Sequence, residues 1–367
     1  MARKLKSDKM LFLATLLLIC VSIVMVYSAS APVAFDRYGR ASMFLIKQAM
    51  WSVLGLAMLA VVMRIDYRTY REPVFIWTGL GVVGLALIAV LFSPPVNNAR
   101  RWFGFAGIGV QPSEMAKLVA IFFIAALLER RMHRIDDIKY ALMPIGLVVL
   151  GLVGLILLEP DFGTSMALVL VAAVMVFAAG LNYGYILGVI LVGAPAVYIL
   201  VMGTAYRRQR VLTFLDPWRD PLGAGFQIIQ SLIAVGTGGV WGKGLFSGTQ
   251  SQLGFLPERH TDFIFANVGE EMGFIGASLI LGLYMIVLWR IVTAARQARD
   301  RYGYLVCAGL ASMFAFVMML NIGMCVGLMP VAGIPLPLIS YGGSSLVINL
   351  WSLGIVANIY ARRYALL

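Results

Sequence analysis

The sequence predicts an all-α polytopic membrane protein of about ten transmembrane helices. Of its 367 residues, 61% are hydrophobic and only 13% are charged, and the mean hydropathy is +0.90. A soluble chain of this length needs a charged surface, which this composition does not provide. The apolar residues also fall into runs of about 20, the length that crosses the hydrocarbon core of a bilayer. Basic residues gather between alternate runs, as in cytoplasmic loops.

The apolar runs give the predicted spans in order. Most are long and uncharged, whereas the fourth is short and carries charges and the eighth begins with polar residues. The ten predicted spans are 10–27, 43–63, 74–92, 112–128, 140–158, 161–181, 185–202, 263–289, 304–328 and 345–361.

The basic residues predict the direction of these spans. If both termini are cytoplasmic, the inside segments hold 17 of the 29 Lys and Arg residues, among them Arg3, Lys4 and Lys6. This distribution satisfies the positive-inside rule. The segment 204–261, between helices seven and eight, then forms one large extracellular loop. Because no linker or repeat interrupts the chain, residues 1–367 are predicted to form a single transmembrane domain.

The N-terminus admits a second interpretation. Its basic start and the Ala29-Ser30-Ala31 stretch resemble a cleaved signal peptide. The apolar run of about 18 residues is longer than the usual core of a signal peptide, so an uncleaved first helix is favoured.

Several functional classes are disfavoured. The net charge of +12 could indicate nucleic-acid binding, but in a membrane protein it marks cytoplasmic loops. Three cysteines in apolar runs, without CxxC spacing, and only two histidines predict no disulfide and no metal cluster. Gly242-Lys243 resembles the end of a Walker A motif, but Thr237 and Gly244 break the pattern.

Charged side chains within or next to the apolar runs are the first candidates for a site, because burying charge in a bilayer is costly. Lys47 interrupts the second run, although it could instead reach the interface. Glu114 and Lys117 share one helix face and either neutralise each other or line a polar cavity. Asp161 begins the sixth run. Its only role there could be the favourable interaction of its negative charge with the positive end of the helix dipole.

The segment 255–266 is the richest candidate. Glu258, Arg259, His260 and Asp262 crowd together just before an apolar helix. A capping role for Thr261 or Asp262 would explain only one of these residues. A carboxylate at this boundary can act as a general base. Neighbouring aromatic residues would raise its pKa and Arg259 would lower it, and the sequence does not decide between the two effects.

An uncharged loop, 333–345, contains several prolines and glycines. Irregular backbone at membrane depth is tolerated where protein or a watery cavity covers it. The loop is therefore predicted to fold inward, with Ser344 and Ser345 offering hydroxyls to a cavity. The alternative is a tight turn between the last two helices.

Six motifs occur together in one order and resemble the SEDS family (shape, elongation, division and sporulation proteins). Any one of them is weak, but their shared order is a strong signal. They are NARRW (98–102), QPSEMAK (111–117), EPDFGT (159–164), GFQIIQS (225–231), FLPERHTDFIF (255–265) and PLPLISYGGSS (335–345).

The resemblance implies peptidoglycan polymerisation from lipid II in the bacterial plasma membrane, with a class B penicillin-binding protein as partner. It also implies that Asp262 is the essential carboxylate and that Lys47, Glu114, Lys117 and Asp161 line a polar cavity. The stretches 248–253 and 331–335 look closer to RodA, the elongation branch, than to FtsW, the division branch. Met329 stands where Leu is common in the family.

The chemistry of such a transfer needs a base for the acceptor hydroxyl and positive charge for the departing pyrophosphate. A divalent cation such as Mg²⁺ could supply part of that charge. A lipid II flippase and a non-catalytic scaffold are the competing classes, although a flippase should show inverted repeats, which the sequence lacks. The candidate pyrophosphate-binding residues are Arg207, Arg208, Arg210 and Arg259.

Overall fold

The computed structural model describes residues 8–95, 99–105 and 108–364. Arg3, Lys4, Lys6 and Asn98 lie outside the described residues. A single two-stranded antiparallel hairpin interrupts an otherwise helical chain within this part. The elements are α1 (Lys9–Tyr38), α2 (Met43–Val62), α3 (Pro73–Val90), β1 (Phe103–Phe105), β2 (Ile108–Val110), α4 (Pro112–Arg131), α5 (Met143–Leu158), α6 (Phe162–Ala178), α7 (Tyr183–Met202), α8 (Ala205–Leu215), α9 (Phe226–Gly238), α10 (Thr249–Gln252), α11 (Ile264–Arg296), α12 (Arg301–Cys325) and α13 (Gly343–Ala361).

Each of the ten predicted spans coincides with a helix, which confirms a polytopic helical membrane protein. Seven helices of the described residues are long and apolar enough to cross a membrane. The apolar helix α6 is shorter, and the number of crossings and their direction stay predictions. These seven are Lys9–Tyr38, Met43–Val62, Pro73–Val90, Ile138–Leu158, Ile264–Arg296, Arg301–Cys325 and Gly343–Ala361.

The first helix is longer than its apolar run predicts. It begins after Asp8, whose carboxylate caps Leu11 N, and continues to Tyr38 instead of ending near Tyr27. The stretch that resembles a signal-peptide cleavage site lies inside this helix, with Ala29 and Ser30 fully buried. Small residues here carry little hydropathy, so a hydropathy pattern misses them, but they let α1 pack closely against α11.

The segment 204–262 contains three helices rather than an irregular loop. It includes α8, α9 and the short α10, and α9 packs along α11. The close approach is made at Gly238, where a β-carbon would lie 1.9 Å from the backbone oxygen of Gly269 in α11. Gly273 has a φ of +66° and interrupts the helical geometry of α11, a conformation that glycine adopts without steric cost.

The interior of the bundle is built from α4, α12 and α13. In the apolar windows of α12 and α13, 67% and 78% of the residues are buried, against 22% in α3. Most of α4 is buried as well, although it carries charged residues. The central position of these three helices brings their polar side chains together at the end of the bundle where residues 204–262 lie, here called the loop end.

Candidate functional site

Two irregular segments meet at the loop end and are joined through their backbones. Residues 254–263 precede α11, and residues 326–342 precede α13. Tyr341 N donates to His260 O at 2.9 Å, and Ser340 Oγ donates to Thr261 O at 2.5 Å. These bonds fix the chain just before Asp262 relative to the proline-rich loop.

Asn321, fully buried in α12, binds the backbone of Asp262. Its side-chain nitrogen donates to Asp262 O and to Ile334 O, both at 2.8 Å. The backbone of Asp262 is therefore fixed by side chains from another helix, and its carboxylate does not take part in those bonds. Phe263 is the N-cap residue of α11 and makes no side-chain capping bond. The alternative that Thr261 or Asp262 caps this helix is therefore wrong.

The Asp262 carboxylate shares its surroundings with Arg210. A β-carbon at Gly333 would lie 3.7 Å from Asp262 Oδ2 and 4.0 Å from a guanidinium nitrogen of Arg210. Burial, and next the negative charge of Glu258, raise the pKa of Asp262 to about 7, against the opposing effect of Arg210 and Arg101. Burial therefore outweighs positive charge, which answers the question that the sequence left open.

Arg259 and His260 have neighbours of their own in the segment before α11. Arg259 is 4% exposed, and burial lowers its pKa against the opposing effect of the negative charge of Asp36. The His260 ring packs 5.0 Å from Phe44 and 5.7 Å from Tyr341, and burial lowers its pKa. Both side chains support the loop around Asp262. The positive charges that lower the pKa of Asp262 are those of Arg210 and Arg101, not that of Arg259.

Glu258 is exposed and accepts a hydrogen bond from Thr261 Oγ1 at 2.9 Å. Its negative charge nevertheless contributes to raising the pKa of Asp262. Among the described residues, no group of three His, Cys, Asp or Glu side chains could hold a metal ion. Mg²⁺ often binds through only one or two carboxylates together with substrate phosphates, and Asp262 with Glu258 fits that smaller set.

Two of the three candidate arginines on α8 turn towards the site. Arg210 Nη1 donates to Val331 O at 3.0 Å. The guanidinium of Arg207 lies 5.7 Å above the ring of Phe162, the residue after Asp161. Arg208 is exposed. Spacing of three residues places Arg207 and Arg210 on one face of the helix, and Arg208 points elsewhere.

Asp161 is the N-cap residue of α6. Its carboxylate accepts bonds from Thr164 N at 3.1 Å and Thr164 Oγ1 at 2.9 Å. Gln111 Nε2 donates to the same carboxylate at 3.1 Å, and Gln111 N donates to Ser344 Oγ at 3.3 Å. Asp161 therefore has a capping role, and it is linked through Gln111 to the predicted inward loop.

Glu114 and Lys117 form a buried ion pair at 2.8 Å. They line a small cavity of about 10 Å³ together with Ser345 and Asn349, and that volume is roughly what one water molecule needs. Asn349 Nδ2 donates to Ser345 Oγ at 3.2 Å. The pair neutralises itself, and the small cavity beside it has mostly apolar walls, such as Met313 and Phe314. A role in binding substrate stays a prediction.

The loop 333–345 lies inside the bundle, as predicted. Ile334, Leu336, Leu338 and Ile339 are each at most 2% exposed. Proline and glycine permit this course because the surrounding helices cover the irregular backbone. The loop therefore contributes Ser344 and Ser345 to the same interior surface as the buried ion pair.

Lys47 is partly buried on α2. Phe44, one turn earlier, contacts the His260 ring. Trp51, one turn later, lies so close to Gly343 that a β-carbon there would be 2.0 Å from the indole. This spacing puts Lys47 on the face of α2 that packs against the two irregular segments.

Several polar residues of this region were not predicted from the sequence. Arg101 donates to the backbone oxygens of Glu159 and Pro160. Glu159 is fully buried, and neither carboxylate oxygen has a hydrogen-bond partner within the described ranges. Burial, and then the charge of Asp161, raise the pKa of Glu159 to about 8 against the effect of Arg101. Glu159 belongs to the 159–164 motif, but the motif does not reveal that the Glu159 carboxyl group is buried.

Comparison with known proteins extends over nearly the whole chain. The family model described as "Cell cycle protein", for FtsW, RodA and SpoVE, matches residues 8–365. A probable peptidoglycan glycosyltransferase FtsW of Geobacter metallireducens is 39% identical over 362 residues, covering 97% of this chain and 95% of the relative. The stage V sporulation protein E of Bacillus subtilis is also 39% identical, covering 97% and 98%.

Two solved structures are similar in fold. One is a chain from a study of the coordination of polymerisation and crosslinking by a peptidoglycan synthase complex, with a TM-score of 0.80 and 34% identity over 98% of this chain and 99% of that one. The other is the rod shape determining protein RodA of Thermus thermophilus. It has a TM-score of 0.72 and 30% identity, and the match covers 98% of each chain.

Proposed function

The chain belongs to the FtsW/RodA/SpoVE family, and on that premise we propose that it is a peptidoglycan glycosyltransferase of the bacterial inner membrane that polymerises lipid II. The observation that carries this proposal is the Asp262 carboxylate. Its backbone is held by Asn321, it lies near Arg210, and its pKa is raised to about 7. A general base works best when its pKa is close to the working pH.

In the proposed reaction, Asp262 accepts the proton of the acceptor sugar hydroxyl. The hydroxyl oxygen forms a bond to the anomeric carbon of the donor, and the bond from that carbon to the pyrophosphate breaks. The pyrophosphate leaves on its polyprenyl chain with the electron pair. Arg210 and Arg207 are proposed to stabilise the charge that develops on it.

The remaining candidate residues are proposed to bind substrate along the interior surface. Lys47, Glu114, Lys117, Asp161, Ser344 and Ser345 form this set. Glu258, Arg259 and His260 belong to the segment around Asp262, whereas Arg208 is exposed and points elsewhere. A divalent cation such as Mg²⁺ is proposed only as a helper that Asp262, Glu258 and the pyrophosphate could hold, and it would neutralise part of the pyrophosphate charge.

The competing function is a lipid II flippase, which would need a similar polar interior. Purified protein incubated with purified lipid II distinguishes the two functions. We expect glycan strands, resolved as a ladder by gel electrophoresis. Transfer of fluorescent lipid II across a vesicle membrane, without any lengthening of the product, would contradict the glycosyltransferase proposal.

The cellular role and the partner are narrower proposals. The motif details favour RodA-like elongation, with a class B penicillin-binding protein supplying crosslinking. The similar chain from a peptidoglycan synthase complex supports such a partner. Division is the second candidate, because several similar curated relatives are named FtsW. Expression in strains depleted of either native protein separates the roles, since an elongation enzyme restores rod shape and a division enzyme restores septation.

A further inference from the structure

A cavity of about 430 Å³ lies between α8 and the start of α9 at the loop end. Its polar lining comes from Gln209, Arg210, Thr213 and Gln227, and its apolar lining includes Phe226. We propose that this cavity binds the sugar headgroup of the glycosyl donor, the ring that carries the pyrophosphate. This inference rests on the proposed function and gives it a substrate subsite.

The cavity adjoins the candidate base through a shared wall. Arg210 lines it and donates to Val331 O at 3.0 Å, and Val331 lines it too. The guanidinium of Arg210 also lies 4.0 Å from the β-carbon position at Gly333, where Asp262 Oδ2 is 3.7 Å away. The cavity and the Asp262 carboxylate are therefore both within reach of one guanidinium.

The lining has the chemistry of a sugar site. Two glutamine amides and a threonine hydroxyl offer uncharged donors and acceptors, which suit ring hydroxyls and N-acetyl groups. Phe226 offers an apolar surface for the carbon face of a ring. The volume falls in the range of about 300–1,000 Å³ that small-molecule sites occupy.

A second large cavity of this protein has more aliphatic side chains in its lining. It has a volume of about 470 Å³ and lies between the start of α1 and the ends of α2 and α13. Leucines such as Leu11, Leu59 and Leu353 make up much of its lining, and Asp8, Lys9 and Thr15 also border it. In the cavity beside Arg210, an acyl chain would offer no hydrogen bonds to the uncharged polar side chains of Gln209, Thr213 and Gln227.

The position beside Arg210 favours the donor over the acceptor. The anomeric carbon of the donor is attached to the pyrophosphate through a single oxygen. The donor ring must therefore lie next to the group that holds the pyrophosphate, which is Arg210 in the proposed reaction. This placement also gives a role to Gln227, the polar residue of the 225–231 motif that lines the cavity.

Cysteine protection tests occupancy directly. Thr213→Cys is made in a Cys20→Ser background, since Cys307 and Cys325 are buried and Cys20 is exposed. We expect lipid II to slow labelling by a membrane-impermeant maleimide about tenfold, because a bound ring covers the side chain. Trp218→Cys, on the same segment but 65% exposed outside the cavity, serves as the control whose labelling lipid II should not change.

Steady-state kinetics give a second measurement. Gln227→Leu removes hydrogen bonds made equally in the ground and transition states, so KM for lipid II should rise about tenfold while kcat stays within about twofold. Gln297→Leu, at the exposed far end of α11, is the matched control and should change neither constant.

The outcomes separate this inference from the proposed function. If the wild-type protein makes no glycan from lipid II, the proposed function itself is wrong. If the wild-type protein polymerises lipid II but Thr213→Cys labels at the same rate with and without it, the donor subsite is refuted. An unchanged KM in Gln227→Leu would refute the role of that residue.

Discussion

Acidic residues at the start of α11 are held in two opposite ways. Glu270 and Glu271 lie two turns into the helix, at most 1% exposed, and their carboxylates accept hydrogen bonds from the surrounding chain. Asp262 lies just before the helix, partly exposed, with its backbone carbonyl held by Asn321. In one region the protein fixes carboxylates with hydrogen bonds. In the other it fixes the backbone of Asp262, whose carboxylate is desolvated enough to raise its pKa although the residue is still partly exposed.

The bonds to Glu270 show how complete the first arrangement is. Its carboxylate accepts from Lys243 Nζ at 2.7 Å, Thr249 Oγ1 at 2.9 Å and Gln250 N at 3.0 Å. Glu271 accepts from Ser28 Oγ at 2.5 Å. These bonds tie residues 243–250 and α1 to α11. A carboxylate engaged in this way anchors the structure, whereas a group that must accept a substrate proton has to stay accessible.

The largest expected effect follows from changing Asp262. Asp262→Asn and Asp262→Ala should both lower lipid II polymerisation by about 10²–10⁴-fold, the usual contribution of a positioned general base. Neither substitution removes the bonds to the backbone carbonyl, so the thermal unfolding temperature in detergent should hardly change. Polymerisation by the Asn variant within a few-fold of wild type would overturn the role of this residue and favour the flippase.

The second prediction addresses the anchoring region. Glu270→Gln removes the charge from a network that includes Lys243, a residue with a side chain only 25% exposed. Hydrogen bonds to charged groups contribute about 1.5–3 kcal/mol, so the unfolding temperature should fall clearly. The activity of the protein that remains folded should stay close to wild type.

A double-mutant cycle with Lys243→Met isolates the pair in this network. If Glu270 acts only as an anchor, the double variant should lose less stability than the two single variants together, because the two groups interact directly. A large loss of activity in folded Glu270→Gln protein would mean that the anchoring region takes part in the chemistry, and the contrast with Asp262 would fail.

The sequence predicted the helices and Asp262, but it did not single out the anchoring residues Glu270 and Glu271. All ten apolar runs became helices, because hydropathy over about 20 residues is a local property. Asp262 was found because polar residues crowd before an apolar run. Its partner Arg210 was one of four arginine candidates, and only the fold selects it over Arg259. Glu270 and Glu271 lie within the eighth predicted run, so the rule on intramembrane charge could have identified them.

The smallest expected effect concerns Glu159, a buried carboxylate that fits neither arrangement. Its pKa is raised from an ordinary 4.5 to about 8, so the folded protein binds a proton at pH values where the unfolded chain has lost it. The wild-type protein should therefore lose stability as the pH rises from about 4.5 to 8. Glu159→Gln stays neutral and lacks this loss, so it should be more stable than wild type at pH 7. The advantage should disappear below about pH 4.5, and unfolding temperatures measured in detergent across this range test it.

Glu72→Gln, at an exposed position, is the control and should show no such trend. A Glu159→Gln variant that is less stable than wild type at pH 7 would mean that the carboxylate is ionised and partnered, and that Arg101 outweighs burial.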